Sequence, residues 1–174
     1  MSSPEAVTFK GNAMTLTREE LQVGQAVPEF TLHSFGAEGL TTISPADLKG
    51  KPTLLNIVPS LDTGVCATQT KKFNEELAGM GDQINAVTVS MDTPFAQNRF
   101  CGAEGVENLK NGSDYMDHNF GNALGVRIEE LGLLTRSVYV LDADGKVAYA
   151  EIVPEVTNEP SYDAAVSALK SQLS

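Results

Sequence analysis

The chain is poor in cysteine and histidine, with two residues of each among 174, and it has no tryptophan. Two cysteines are too few for a disulfide scaffold, so we expect a reducing compartment with free thiols. Basic residues are outnumbered 12 to 23 by acidic ones, and the net charge of −11 disfavours nucleic acid and anionic lipid as partners. No apolar run approaches the ~20 residues of a membrane-spanning helix, and no signal peptide is visible. We therefore expect a cytoplasmic protein with no stable membrane association.

The length and the hydrophobic content of 41% suit a single domain over residues 1–174. Strands are predicted over residues 7–10, 13–16, 30–32, 40–43, 53–58, 83–90, 137–141 and 146–153, with a loop or short strand over 106–110. Helices are predicted over residues 63–80, from 94 to a stop at 102, near 118–124 and over 162–173. A turn at Gly11-Asn12 makes the first two strands a hairpin. This order predicts an α/β fold with a mixed central sheet flanked by helices and an added N-terminal β-hairpin.

Cys66 lies where the apolar strand 53–58 turns into a helix. The first N–H groups of a helix lack intrahelical partners and carry partial positive charge, so a thiolate is stabilised there. The other cysteine, Cys101, is placed near the end of a later helical segment. Two thiols on different elements, one of them poised to react, suggest redox chemistry, although either thiol alone could be an inert core residue.

The residues just before Cys66 have predicted roles of their own. With Thr63 as the N-cap, its hydroxyl is expected to face the N–H of Cys66 and to lie close to the sulfur. Pro59 ends the strand and could separate the sulfur from bulk water. Gly64 would let the backbone approach a small ligand closely.

The spacing Pro59-x-x-x-Thr63-x-x-Cys66 resembles the active-site signature of peroxiredoxins, and residues 60–66 resemble the bacterial thiol peroxidase subfamily. Further matches lie in residues 89–105, 113–115, 131–137 and 149–160. The resemblance covers nearly the whole chain, including the N-terminal hairpin. It implies a thioredoxin-like fold and a peroxidase of the atypical two-cysteine kind.

The resemblance also assigns roles to residues. It implies that Cys66 is the peroxidatic cysteine, which becomes a sulfenic acid, and that Cys101 is the resolving cysteine, which captures it as an intramolecular disulfide. It further implies that Thr63 hydrogen-bonds the peroxide and the thiolate. Arg136 would stabilise the thiolate and the negative charge that develops on the peroxide, and Pro59 would shield the sulfur.

The implied reaction is the reduction of hydrogen peroxide and alkyl hydroperoxides, with thioredoxin as reductant and a homodimer as the assembly. No metal or organic cofactor is required, because the thiols carry the electrons. One alternative is a thiol–disulfide oxidoreductase, but such enzymes use C-x-x-C, and Thr63 and Gln69 occupy the two possible partner positions. The other alternative is a non-enzymatic redox sensor, which would form the same disulfide and differs only in lacking turnover.

Overall fold

A mixed seven-stranded sheet organises the computed structural model, which describes residues 7–17 and 19–173. The described residues form the strands β1 (Val7–Phe9), β2 (Asn12–Met14), β3 (Leu32–Gly36), β4 (Gly39–Ile43), β5 (Thr53–Ile57), β6 (Asn85–Ser90), β7 (Lys110–Ser113), β8 (Arg127–Ile128), β9 (Leu133–Leu134), β10 (Ser137–Leu141) and β11 (Val147–Ile152). They form the helices α1 (Pro45–Leu48), α2 (Gly64–Glu76), α3 (Pro94–Glu104), α4 (Asn119–Leu124) and α5 (Tyr162–Ser171), with a 3₁₀ turn at Gly81–Gln83. None of these helices is both long and apolar enough to cross a membrane. The predicted α/β class is confirmed.

The order of strands in the central sheet is β11-β10-β5-β6-β7-β3-β4. Strands β5, β6 and β7 are parallel, and antiparallel strands extend the sheet on both sides. Every residue of β5 is buried, as expected for an apolar strand that is covered on both faces. Because β10 runs antiparallel to β5 with Ser137 opposite Ile57, the end of β5 lies beside the start of β10. The segment that leads into α2 therefore begins next to Arg136.

Successive residues of the central strands face two different core layers, as the pleat of a strand requires. On one face Leu54 belongs to a buried cluster that includes Phe73 of α2 and Leu169 of α5. On the other face Leu55 belongs to a cluster that includes Phe120 of α4. The sheet is thus covered by helices on both sides, and α2 is held to it by apolar packing.

The predicted N-terminal hairpin is present, but its turn is one residue earlier than expected. Val7 pairs with Met14 and Phe9 pairs with Asn12, so Lys10 and Gly11 form the turn. Both turn residues have positive φ, 51° and 82°. A two-residue hairpin turn of this kind needs positive φ at both central positions. Asn12 is therefore part of the strand and not of the turn.

Two predicted helix ends were wrong. Helix α2 ends at Glu76 with a cap at Leu77, short of the expected end at residue 80. Helix α3 continues through Gly102, which was predicted to stop it, and ends before Gly105. Gly105 has φ 68°, the left-handed geometry that terminates a helix and that glycine adopts at little cost. Gly102 does not have a positive φ. The presence of a glycine is therefore not enough to predict where α3 ends.

Smaller differences concern the edges and the second half of the chain. The strand expected at 30–32 begins at Leu32, and the segment expected at 106–110 forms its strand as β7, further along the chain. The hairpin β8–β9 was not predicted, because strands of two residues are too short to show an alternating pattern. The last helix ends at Ser171.

The packing of α2 gives a first prediction. Phe73 is fully buried and its ring meets Tyr162 edge to face at 5.1 Å, so Phe73→Ala should lower the free energy of unfolding by about 3–5 kcal/mol. The matched control is Phe95→Ala. Phe95 is 54% exposed, so this substitution should lower the free energy of unfolding by about 1 kcal/mol or less. Urea unfolding followed by far-UV circular dichroism measures both. Equal losses would contradict the assignment of Phe73 to the core.

Candidate active site

Cys66 is the third residue of α2 and is fully buried. Helix α2 starts directly after a loop that leaves β5, and its N-cap is Thr63, as predicted. Cys66 packs with Val58 and Leu61, and the partly buried Phe100 covers the same cluster. Because its N–H belongs to the first turn, it lies at the positive end of the helix. The sulfur therefore sits in a closed apolar pocket that is electropositive on its helical side.

Arg136 supplies the second positive contribution at the sulfur. It stands immediately before β10, is 3% exposed, and its Nη2 donates to Cys66 Sγ at 3.3 Å. Its Nη1 donates to Gln69 Oε1 at 2.9 Å and its Nε to the carbonyl of Val156 at 2.6 Å. Among the residues that the structure describes, no carboxylate forms an ion pair with Arg136. A Cys66 thiolate is therefore the anion that this buried cation can pair with.

A buried polar network behind Arg136 was not predicted. Gln69 Nε2 donates to Asn56 Oδ1 at 2.7 Å, and Asn56 Nδ2 donates to the hydroxyls of Thr70 and Thr88 at 3.0 and 3.2 Å. All four side chains are fully buried. Since a guanidinium only donates, it selects the Gln69 oxygen and thereby sets the direction of the whole chain of bonds. The signal in the sequence was Asn56, a lone amide in an otherwise apolar central strand.

The Thr63 hydroxyl differs from its prediction. It donates to the carbonyl of Ser60 at 2.9 Å and makes no capping bond to the N–H of Cys66. Residues 61 and 62 form a turn, and the Ser60 carbonyl comes within hydrogen-bond distance of the Thr63 hydroxyl. Pro59 is buried at the start of this loop. Thr63 therefore has its proton engaged and its acceptor lone pairs open.

Asp92 holds the same loop and was not singled out from the sequence. Its carboxylate accepts from Ser60 Oγ at 2.8 Å, from the N–H of Leu61 at 2.8 Å and from Ser90 Oγ at 2.7 Å. Asp92 itself lies between β6 and α3. One carboxylate therefore joins the loop before Cys66 to the segment that starts the helix carrying Cys101.

Cys101 is half-buried inside α3, and both cysteines are free thiols. Its Sγ donates to Asn111 Oδ1 at 3.1 Å. Burial raises the pKa of the Cys101 thiol, against an opposite effect of the bond to Asn111. Cys101 packs on the layer that contains Phe73, whereas Cys66 belongs to its own small cluster. The two thiols thus pack against different clusters of the core. The raised pKa keeps the Cys101 thiol protonated at neutral pH.

A groove of about 620 Å³ lies between the loop before α2 and the outer face of α3. Leu61 and Phe100, which pack on Cys66, both line it. Two of the side chains that cover the Cys66 sulfur therefore form part of the wall of this groove.

Comparison with known proteins extends over nearly the whole chain. A family model described as Redoxin matches residues 22–166. The thiol peroxidase of Bacillus subtilis (strain 168) is 50% identical over 95% of this chain and 96% of its own, and that of Halalkalibacterium halodurans is 49% identical over 97% and 99%. A solved structure, the peroxiredoxin-like protein from Aquifex aeolicus, is 39% identical with a TM-score of 0.87 and covers 98% of both chains.

The contact between Arg136 and Cys66 gives a second prediction. Arg136→Met keeps an apolar side chain of similar length but removes the fixed positive charge at the sulfur. Hydrogen peroxide should then oxidise the thiol about 100-fold more slowly or worse, because a preorganised donor is lost.

The matched control is Lys146→Met, which removes the same charge from an exposed turn and should change the rate by less than about twofold. Oxidation is followed by quenched-flow mass spectrometry of the intact chain. An unchanged rate in Arg136→Met would contradict the electrostatic role.

Proposed function

Since this chain belongs to the Redoxin family and is a thiol-dependent peroxidase of the thiol peroxidase type, we propose that Cys66 is its peroxidatic cysteine and Cys101 its resolving cysteine. The observation that carries the proposal is the 3.3 Å contact from Arg136 Nη2 to Cys66 Sγ, made by a buried cation without a described carboxylate partner. The substrates are hydrogen peroxide and alkyl hydroperoxides.

In the first step the Cys66 thiolate attacks one peroxide oxygen and the O–O bond breaks. The sulfur is oxidised to a sulfenic acid, and the other oxygen leaves with the bonding electron pair and takes up a proton to give water or an alcohol. Negative charge moves from sulfur to the leaving oxygen during this step. Arg136 Nη2 and the N-terminus of α2 already face the sulfur from which this charge departs, so little reorganisation is needed.

Thr63 and Pro59 shape the space in which the peroxide binds. The Thr63 hydroxyl donates to Ser60, so it can accept the hydrogen of a peroxide O–H and turn the peroxide oxygen toward the sulfur. Pro59 has no N–H and is buried at the end of β5, so it adds an apolar wall that offers water no partner. The role of Pro59 is the one implied by the peroxiredoxin signature. The role of Thr63 agrees with the signature for the peroxide but not for the thiolate, because its only proton is donated to Ser60.

In the second step Cys101 attacks the sulfenic sulfur, a disulfide forms and water leaves. Without this step a second peroxide would carry the sulfenic acid to an irreversible sulfinic acid. A disulfide requires the two Cα atoms to come within ~7 Å. Cys66 is fully buried in α2 and Cys101 lies within α3, so we propose that one or both helices unwind locally. The bonds that Asp92 makes to the loop before α2 would break in that change.

The reductant, the assembly, the location and the domain organisation are proposed from the family resemblance. We propose that thioredoxin reduces the disulfide, that the protein is a homodimer, and that it acts in the cytoplasm as a single domain.

The experiment that tests the proposal is intact mass after one equivalent of hydrogen peroxide. We expect the parent protein to lose two hydrogens as the disulfide forms, and Cys101→Ser to gain one oxygen as the sulfenic acid persists. Cys66→Ser is the control and should keep its mass, because burial keeps the Cys101 thiol protonated and only thiolates attack readily.

Turnover with thioredoxin and its reductase completes the test. Cys101→Ser should consume one equivalent of peroxide and then stall. Unchanged masses in all proteins would contradict the peroxidatic role of Cys66, and equal steady-state rates in Cys101→Ser and the parent would contradict the resolving role of Cys101.

A further inference from the structure

The third contact of Arg136 comes from a part of the fold that is neither strand nor helix. Its Nη1 and Nη2 meet side chains of α2, but its Nε donates to the carbonyl of Val156 at 2.6 Å, the shortest of the three. Val156 lies in the loop between β11 and α5. The backbone position of this loop therefore helps to fix the plane of the guanidinium.

The N-terminal hairpin holds the loop in place. The N–H of Val156 donates to the Thr8 carbonyl at 2.8 Å, and the N–H of Thr8 donates to the Pro154 carbonyl at 2.7 Å. The Val156 side chain is 1% exposed and packs with Val7 and Leu16. Strand β1 thus extends along the loop, and Val156 has the hairpin on one side and Arg136 on the other.

Glu155 ties the hairpin and the loop together through one carboxylate. From the loop it accepts the N–H and hydroxyl of Thr157, at 3.0 and 2.7 Å. From the hairpin it accepts the Thr8 hydroxyl at 2.9 Å and the N–H groups of Lys10 and Gly11 at 3.1 and 2.9 Å. The bonds from Thr157, and then that from Gly11, hold the pKa of Glu155 well below its ordinary value. The Glu155 carboxylate is therefore ionised at neutral pH.

We propose that Glu155 is a positioning residue for the peroxide reaction, acting through Val156 on Arg136; this rests on the proposed function. Its bonds fix the chain on both sides of Val156, so the Val156 carbonyl points steadily at Arg136 Nε. Without these bonds the Val156 carbonyl no longer holds Arg136 Nε in a fixed position, and the distance from Nη2 to Cys66 Sγ increases. Displacements of about 1 Å at a reacting group cost up to about 100-fold in rate. The N-terminal hairpin is thereby part of the catalytic apparatus, although it contributes no group to the sulfur pocket.

Glu155→Gln tests the proposal, and Glu130→Gln is its matched control. The Glu130 carboxylate accepts the N–H and hydroxyl of Thr15 at 2.8 and 2.9 Å, so it also fastens the N-terminal segment to the body of the protein. Its described contacts do not include Arg136 or Val156. Each variant removes one negative charge and one clamp.

The rate constant of Cys66 oxidation by hydrogen peroxide is measured by quenched-flow intact mass. Glu155→Gln should be slower by about 5- to 10-fold, and Glu130→Gln should stay within about twofold of the parent. Reduction of the disulfide by dithiothreitol should proceed at the parent's rate in both variants, because that half-reaction starts from sulfur atoms that have left Arg136. A merely structural role for Glu155 would not separate the two half-reactions.

Parent-like oxidation in Glu155→Gln would overturn the inference, as would equal slowing in Glu130→Gln, which would mean general loosening. If Glu155→Gln does not fold, Thr157→Val removes one bond to the same carboxylate and should slow oxidation by about 2- to 3-fold; a parent-like rate there would overturn the inference. Failure of the parent protein itself to oxidise at Cys66 would instead contradict the proposed function.

Discussion

The site depends on one constraint, which is that Arg136 is buried without a carboxylate among the described residues. A buried cation is costly unless its donors are matched and its charge is balanced. Two neutral acceptors, the Gln69 amide oxygen and the Val156 carbonyl, accept hydrogen bonds from Nη1 and Nε of the guanidinium. The third side faces Cys66 Sγ at 3.3 Å. The fold thus places a fixed positive charge and the N-terminus of α2 beside the same sulfur.

The packing that covers the Cys66 sulfur also separates it from the proposed disulfide partner, Cys101. Leu61 and Phe100 close the pocket over Cys66, and Asp92 holds the loop before α2 to the segment before α3. In the proposed cycle this packed structure is the state that reacts with peroxide, and formation of the disulfide requires it to open. The proposal therefore needs two states, one packed and one locally unwound.

Local signals made the central parts of this fold predictable. The apolar run of β5 and the turn into α2 at Thr63 are encoded by neighbouring residues, and both are where the sequence indicates. The end of α3 was missed because Gly102 and Gly105 are indistinguishable without their φ angles. The role of Arg136 came from the family resemblance. Its link to Gln69 and Asn56 could not be predicted, because it joins side chains that lie far apart along the chain and meet only through tertiary packing.

The clamp between the N-terminal hairpin and the loop before α5 has a consequence for how the protein matures. Thr8 and Glu155 hydrogen-bond across a separation of 147 residues. Synthesis proceeds from the N-terminus, so the hairpin emerges long before the loop that receives it. Closing so large a loop is among the slower events of folding. The loop that accepts the Arg136 Nε bond is therefore held by the hairpin only when almost the entire chain is present. A partly made chain contains Cys66 and Arg136 before this support for the guanidinium exists.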